Sequence, residues 1–182
     1  MSEPFGACCA PVIETDRLRL RSHRPEDFVN CARMWANPVV TRYIGGKPLT
    51  KEEVWARLLR YVGHWSWLGF GYWVVEEKTA GRFLGEVGFA DSKREIELAI
   101  NGVPEIGWVL DPAGHGRGYA TESVRAAIDW GLGRFGSIQT ICLIAPDNSA
   151  SIRVATKCGY KEVLQTVYKG DNTIIFARDG LR

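Results

Sequence analysis

The chain has 182 residues, 46% of them apolar and 24% charged, a length and balance that fit one soluble globular domain and exclude a disordered chain. Its 23 basic and 21 acidic side chains leave a formal charge of +2, which gives no electrostatic reason to expect a nucleic acid as partner. The longest uncharged stretch, Tyr61 to Val75, falls short of the ~20 residues of a membrane span, so no membrane association is expected. The opening MSEPFGACCAP has neither a basic start nor a long apolar run, so a cytoplasmic protein without a secretory signal is expected.

Residues 1–10 read as a flexible tail, and 11–182 as a single domain. Val12 to Leu20 alternates apolar and polar residues and predicts a half-buried strand. Pro25-Glu26-Asp27 opens a helix whose apolar face is Phe28, Cys31, Ala32 and Trp35, and Asn37-Pro38 ends it. Thr50 with Glu53 is a capping box for a second helix that turns Val54, Leu58 and Val62 inward. Strands follow at Gly71 to Glu77, Arg82 to Phe89 and Glu105 to Leu110, the first two joined by the turn Thr79-Ala80-Gly81. A third helix runs from Gly118 to Phe135 along an Ala120, Val124, Ala127, Gly131 and Phe135 stripe. Ile138 to Ala145 is apolar enough to be buried on both faces. A short helix from Asn148 to Cys158 stops at Gly159-Tyr160, and two strands, Lys161 to Tyr168 and Thr173 to Arg178, close the chain. The order predicts an α/β domain with a mixed sheet.

Five cysteines at 8, 9, 31, 142 and 158 form no CxxC pair, and three histidines at 23, 64 and 115 lack metal-ligand spacing. Incidental thiols and no metal are therefore expected. Trp35, Trp55, Trp108 and Trp130 fall on core faces. Trp65, Trp67, Phe70, Tyr72 and Trp73 either line a pocket or pack a sheet hairpin.

The segment Asp111-Pro-Ala-Gly-His-Gly-Arg-Gly-Tyr-Ala-Thr-Glu122 carries the first chemical signal. A strand ends, glycines follow, and a helix starts with Gly116 and Gly118 where a capping side chain would stand. Bare N–H groups at a helix start can cradle an anion, and glycines let it approach. Phosphate oxygens would complete this helix; an ordinary strand-to-helix loop is the equal alternative on glycine count alone. The segment lacks the lysine of a Walker loop, and Thr121 stands where a Rossmann fingerprint needs its third glycine. The second signal is Asn148-Ser-Ala-Ser151 after Ile144-Ala-Pro-Asp147. Asn148 either caps the short helix or bonds a ligand.

Together, His115-Gly-Arg-Gly118-Tyr-Ala120, Asn148-Ser-Ala-Ser151 and Gly159-Tyr160 resemble the GNAT superfamily of N-acetyltransferases. Glu14-Thr-Asp-Arg-Leu-Arg-Leu20, Pro25-Glu-Asp-Phe28, Glu105-Ile-Gly-Trp108 and Gly118-Tyr-Ala-Thr-Glu122 look like its RimJ/RimL-type subgroup. The resemblance spans roughly residues 12 to 178. It implies a mostly antiparallel central sheet flanked by helices and splayed between two central strands. Acetyl-CoA is the implied donor and an amine the acceptor: a protein N-terminal α-amine of ribosomal type, or alternatively a small amine or antibiotic. A non-catalytic acyl-CoA-binding module would share the same loop.

The resemblance places the donor's diphosphate on the backbone of Gly116, Arg117, Gly118, Tyr119, Ala120 and Thr121. It aligns the pantetheine arm with the main chain of Val109 and Leu110, and sets Asn148 near the thiol end. His115 stands where the superfamily usually has Gln or Arg. Ala155 occupies the place of the tyrosine that many members use as acid, so Ser151 is the implied substitute. Direct attack needs a base, for which Glu105 is the first candidate and Glu86 the second. The closing hairpin leaves an edge strand, so a homodimer stays open.

Overall fold

The computed structural model describes residues 10–96 and 102–180. The expected tail lies outside them except for Ala10, which is buried in the main core, so the packed part of the chain begins at least one residue earlier than expected. Eight strands form one sheet in the order β1-β2-β3-β4-β5-β6-β8-β7. They are β1 (Ile13–Glu14), β2 (Leu18–Arg21), β3 (Tyr72–Glu77), β4 (Arg82–Ala90), β5 (Glu105–Leu110), β6 (Thr140–Ile144), β7 (Lys161–Tyr168) and β8 (Asp171–Arg178). The helices are α1 (Phe28–Trp35), α2 (Pro38–Thr41), α3 (Lys51–Leu68), α4 (Tyr119–Phe135) and α5 (Ser149–Lys157).

The strand expected over Val12 to Leu20 is instead a tight antiparallel hairpin, with Ile13 opposite Leu20. The Thr15 hydroxyl accepts from the Leu18 amide at 2.9 Å. Such local side-chain bonds favour a turn over a continuous strand. The Asn37-Pro38 stop restarts as α2, because the Asn37 carboxamide caps it by accepting from the Val39 amide.

Helix α3 begins at the expected capping box, with Glu53 and Thr50 bonded reciprocally, and it ends on Gly69 in the left-handed region. Its buried face is Val54, Leu58, Tyr61 and Trp65. Val62, expected inside, is exposed, as is Trp55. The i, i+4, i+7, i+11 positions of this face are Val54, Leu58, Tyr61 and Trp65, and Val62, about 70° round the helix from its centre, falls on the flank.

The sheet divides two cores. On one face α4 and α5 bury Val124, Ala127 and Ala155 against Val75, Val87 and Phe89. On the other, α1 to α3 bury Trp35, Leu58 and Tyr61 against Val74 and Phe83. Alternation along β5 sends Ile106, Trp108 and Leu110 to the α4 face, and Val109 to the α3 face. Glu105 and Gly107 share the parity of Val109. The tryptophan cluster splits accordingly. Trp65, Trp73 and Trp130 pack edge to face around centroid distances of 4.8, 4.9 and 5.4 Å, whereas Trp67 is exposed.

The centre of the sheet carries one irregularity. Strands β5 and β6 run parallel but share one paired position, Glu105 opposite Ile141. The Ile141 amide donates to the Pro104 carbonyl at 3.1 Å. Beyond that point the two strands separate.

Candidate active site

A cleft of about 870 Å³ occupies this separation. Glu105, Val109, Asn148 and Ser151 border it, together with Arg57 and Tyr72 from the α3 side. The structure therefore brings one candidate base, the candidate acid and the candidate thiol-end residue to one opening. Leu110 ends β5 and the glycine loop follows it, both outside the cleft lining, as is Glu86.

The main-chain direction along β5 is readable from its neighbours. A methyl on Gly85 would meet the Val109 carbonyl, and the Asp111 amide donates to Leu84 of β4. Odd-numbered residues thus turn their backbone toward β4, while Trp108 and Leu110 turn theirs toward the gap. This corrects half of the expected pair: Val109 borders the cleft with its side chain, and Trp108 replaces it as a main-chain group. His115 Nε2 lies 3.0 Å from the Leu110 carbonyl. A carbonyl only accepts, so this ring nitrogen carries the proton. His115 fastens the loop to the end of β5.

Helix α4 starts bare. Its cap is Gly118 at φ 79°, in the left-handed region, and no side chain among the described residues caps the first turn. Gly116 has φ 73°. The surrounding side chains are occupied elsewhere. The Tyr119 hydroxyl donates to Glu77 at 2.7 Å, and Arg17 donates to the Arg117 carbonyl and to Glu122. Ala120 and Thr121 offer their amides from the first turn. The loop therefore presents N–H groups, a partial positive charge and no competing acceptor, which is the donor set a diphosphate requires.

Asn148 caps α5, its Oδ1 accepting from the Ser151 amide at 3.1 Å. Ser151 is half-buried one turn along. Ala155 is fully buried and holds no group able to move a proton.

Both oxygens of Glu105 accept from Arg94, each at 2.6 Å. Burial opposes the Arg94 charge, yet the bonds to Glu105 hold its guanidinium above the ordinary range. Arg94 comes from the segment after β4, where no periodic pattern signals a functional residue. Glu86 is entirely buried. Its oxygens lie 3.0 Å from His23 Nε2, 2.9 Å from Trp35 Nε1 and 3.4 Å from Cys31 Sγ. Burial raises its pKa, but the His23 and Trp35 bonds prevail and hold it below the usual carboxylate range. Glu86 is thus an internal anion under the α3 face.

His23, Cys31 and Glu86 offer ligand atoms within 4.8 Å of one another, a grouping hidden by their distance in sequence. Burial pushes the Cys31 thiol up. It stays protonated and donates to Glu86, which is a hydrogen-bond role rather than a thiolate ligand's. Cys142 and Cys158 are likewise buried, with thiols raised by burial. No helix among the described residues is long and apolar enough to cross a membrane.

Residues 17–161 match the acetyltransferase (GNAT) domain family. The protein YkkB of Bacillus subtilis is 33% identical over 154 residues, covering 81% of this chain and 83% of that protein. A solved protein of Bordetella pertussis, described as a GNAT-family acetyltransferase, superposes with a TM-score of 0.82 at 26% identity over 93% of this chain and 99% of that one. The RimL ribosomal alpha-N-protein acetyltransferase, solved with coenzyme A, shares the fold at a TM-score of 0.75 and 17% identity, over 93% and 98% of the two chains.

Proposed function

This chain belongs to the GNAT family of acetyltransferases, acetyl-CoA-dependent enzymes, and from that premise we propose that it acetylates primary amines, with a protein N-terminal α-amine as acceptor in the manner of the RimJ/RimL type. The observation that carries the reading is the alignment of the bare α4 start, the unpaired edge of β5 and the cleft. A diphosphate on the amides of Gly116 to Thr121 sends the pantetheine arm back along Trp108 and Leu110, like an added strand. The thioester then lies toward Glu105, where β5 and β6 meet.

The amine enters from the α3 face and attacks the thioester carbon. A C–N bond forms, the C–S bond breaks, and coenzyme A leaves as thiolate. A backbone N–H of β5 facing the gap stabilises the oxyanion. Glu105 takes the amine's proton, directly or through water, and Ser151 supplies one to the thiolate. Because Arg94 holds both Glu105 oxygens, accepting a proton competes with an ion pair. That arrangement favours an amine that arrives already neutral. An α-amine, with pKa near 8, is far more often neutral at physiological pH than a lysine near 10.4.

The test is an acetylation screen over peptides with free N-termini, lysine peptides and small amines, read by mass. Acetylation of α-amines ahead of lysine side chains supports the reading. Turnover confined to small amines replaces the acceptor class. No turnover of any amine, with coenzyme A still raising the melting temperature, would make the chain a binding module instead. Ligand at 100 times its Kd adds about 2.7 kcal/mol of stability, so such a scan resolves coenzyme A from ATP or NAD.

A further inference from the structure

The α3 wall of the cleft carries a cation that makes no ion pair among the described residues. Arg57 lies with its guanidinium 4.0 Å over the Trp35 ring, and one terminal nitrogen donates weakly to the Tyr61 hydroxyl at 3.3 Å. Its Nε is buried without a hydrogen-bond partner among the described residues. Such an orphaned donor is costly unless something supplies an acceptor. Glu86 acts on Arg57 only through space, because its oxygens serve His23, Trp35 and Cys31. A second arginine, Arg42, stands on the same wall. It stacks on Tyr43 and makes no ion pair among the described residues. The acidic residues of the cleft are elsewhere: Glu105 with Arg94, and Asp147 and Asp171 near β6 and β8.

The diphosphate is an unsuitable candidate for the missing anion, because Arg57 lines the cleft and Gly116 to Thr121 do not. Helices α1 to α3 cover one face of the sheet and α4 the other, so Arg57 and the bare α4 start approach the gap from opposite sides. An acceptor entering from the α3 side passes Arg57, and can carry the group that meets its guanidinium. Tyr61 and Tyr72, stacked at a centroid distance of 4.4 Å beside it, form a rigid aromatic floor that fixes where that group sits.

We propose that Arg57 and Arg42 form an anion subsite for the acceptor, so that the preferred substrate is an amine bearing a carboxylate close to its reactive nitrogen. Two sources carry that chemistry: a free α-amino acid, through its own carboxylate, or a polypeptide whose first or second residue is Asp or Glu. The inference rests on amine acetylation as proposed above. A planar guanidinium fork suits a carboxylate, which it can bind through two parallel hydrogen bonds.

The experiment uses acceptors matched in shape that differ in one carboxylate, compared per neutral amine so that the shift in amine pKa between partners does not enter the ratio. Free amino acids are compared with their amides, and peptides beginning with Asp or Glu with their Asn or Gln counterparts. Steady-state kinetics give the ratio of kcat/KM within each pair, and calorimetry on the complex with coenzyme A gives binding independently of turnover. The charged partner should be favoured by about tenfold or more, the scale of one charge-assisted hydrogen bond. The pair showing the effect identifies the source. Arg57→Gln should collapse the ratio toward one, Arg42→Gln should reduce it, and Arg57→Lys should restore part of it. A variant that fails to fold is replaced by the wild-type charge comparison, which needs no substitution. Equal kcat/KM within every pair, or a ratio unchanged in Arg57→Gln, overturns the subsite and leaves amine acetylation standing. Carboxylate-dependent binding without turnover supports the subsite and defeats the catalytic reading, whereas no binding of either partner defeats the subsite.

Discussion

Replacing Glu105 by Gln tests the centre of the mechanism, because it keeps the shape of the side chain and removes its charge. The structure assigns Glu105 two tasks, and each has its own magnitude. As the partner of Arg94 it makes two bonds of 2.6 Å between side chains only 24% and 13% exposed. Gln keeps one acceptor and turns an amide N–H toward the guanidinium. The loss should be about 2 kcal/mol, within the range for hydrogen bonds to charged groups. For a domain of this size that is a fall of about 4–8 °C in Tm. As general base it should contribute roughly 10²–10⁴ in rate. Stopped assays of kcat/KM over about pH 6 to 9, bracketing the α-amine pKa, should therefore show a deficit of at least about a hundredfold near neutrality. The deficit should narrow as the acceptor deprotonates. Arg94→Gln separates the tasks: it should lower Tm by a similar amount and slow the reaction less, because the carboxylate remains. Glu105→Gln with the wild-type rate at every pH would refute the base assignment even if Tm fell.

Other predictions follow from single contacts. Gly118→Ala meets no atom closer than 3.5 Å, but at φ 79° the left-handed backbone should cost about 1–2 kcal/mol. Calorimetry should show weaker coenzyme A binding; unchanged affinity would remove this loop from the donor site. Gly107→Ala would place a methyl against the Tyr72 hydroxyl, and Tyr72 cannot yield freely because Tyr61 stacks on it. The acceptor KM should rise more than the acetyl-CoA KM. Asp27 is held below its ordinary pKa because bonds from Arg21 and the Arg24 amide outweigh burial. A depressed carboxylate stabilises fully above its unfolded pKa and loses that contribution as pH falls through the folded one. Asp27→Asn should thus cost about 3 kcal/mol at neutral pH, a gap that urea melts should show closing below about pH 4. Trp35→Phe removes the indole donor to Glu86 and should destabilise by about 1.5–3 kcal/mol.

Much of the fold is legible in local chemistry. Thr50 and Glu53 announce the start of α3, the apolar run around Cys142 announces a central strand, and the glycines before Tyr119 announce a helix without a cap. These signals are short-range, so a linear reading captures them. The failures are long-range or geometric. Val62 is misplaced because an i, i+4, i+8 stripe winds about 40° round the helix at each step, so its third member leaves the side that faces the sheet. The β1–β2 turn is missed because the clean alternation of Arg17 to Leu20 outweighs the four successive polar residues, Glu14 to Arg17, that mark it. Arg94 binds Glu105 from a segment without periodicity, and His23, Trp35 and Glu86 meet from three different elements. The orphaned Nε of Arg57 belongs to an arginine on a helix rich in charge, where sequence suggests only a solvated side chain.

The lone rung at Glu105 and Ile141 has a mechanical consequence. Five strands hang on one side of it and three on the other, so the backbone of the sheet is stitched at one point and the two halves are held together by the core beneath α4 and α5. A donor lying along the tear would act as a suture, tying the halves through its own amides. Resistance to a protease should then rise with either coenzyme A or its thioester bound, because the tie lies in the arm the two share.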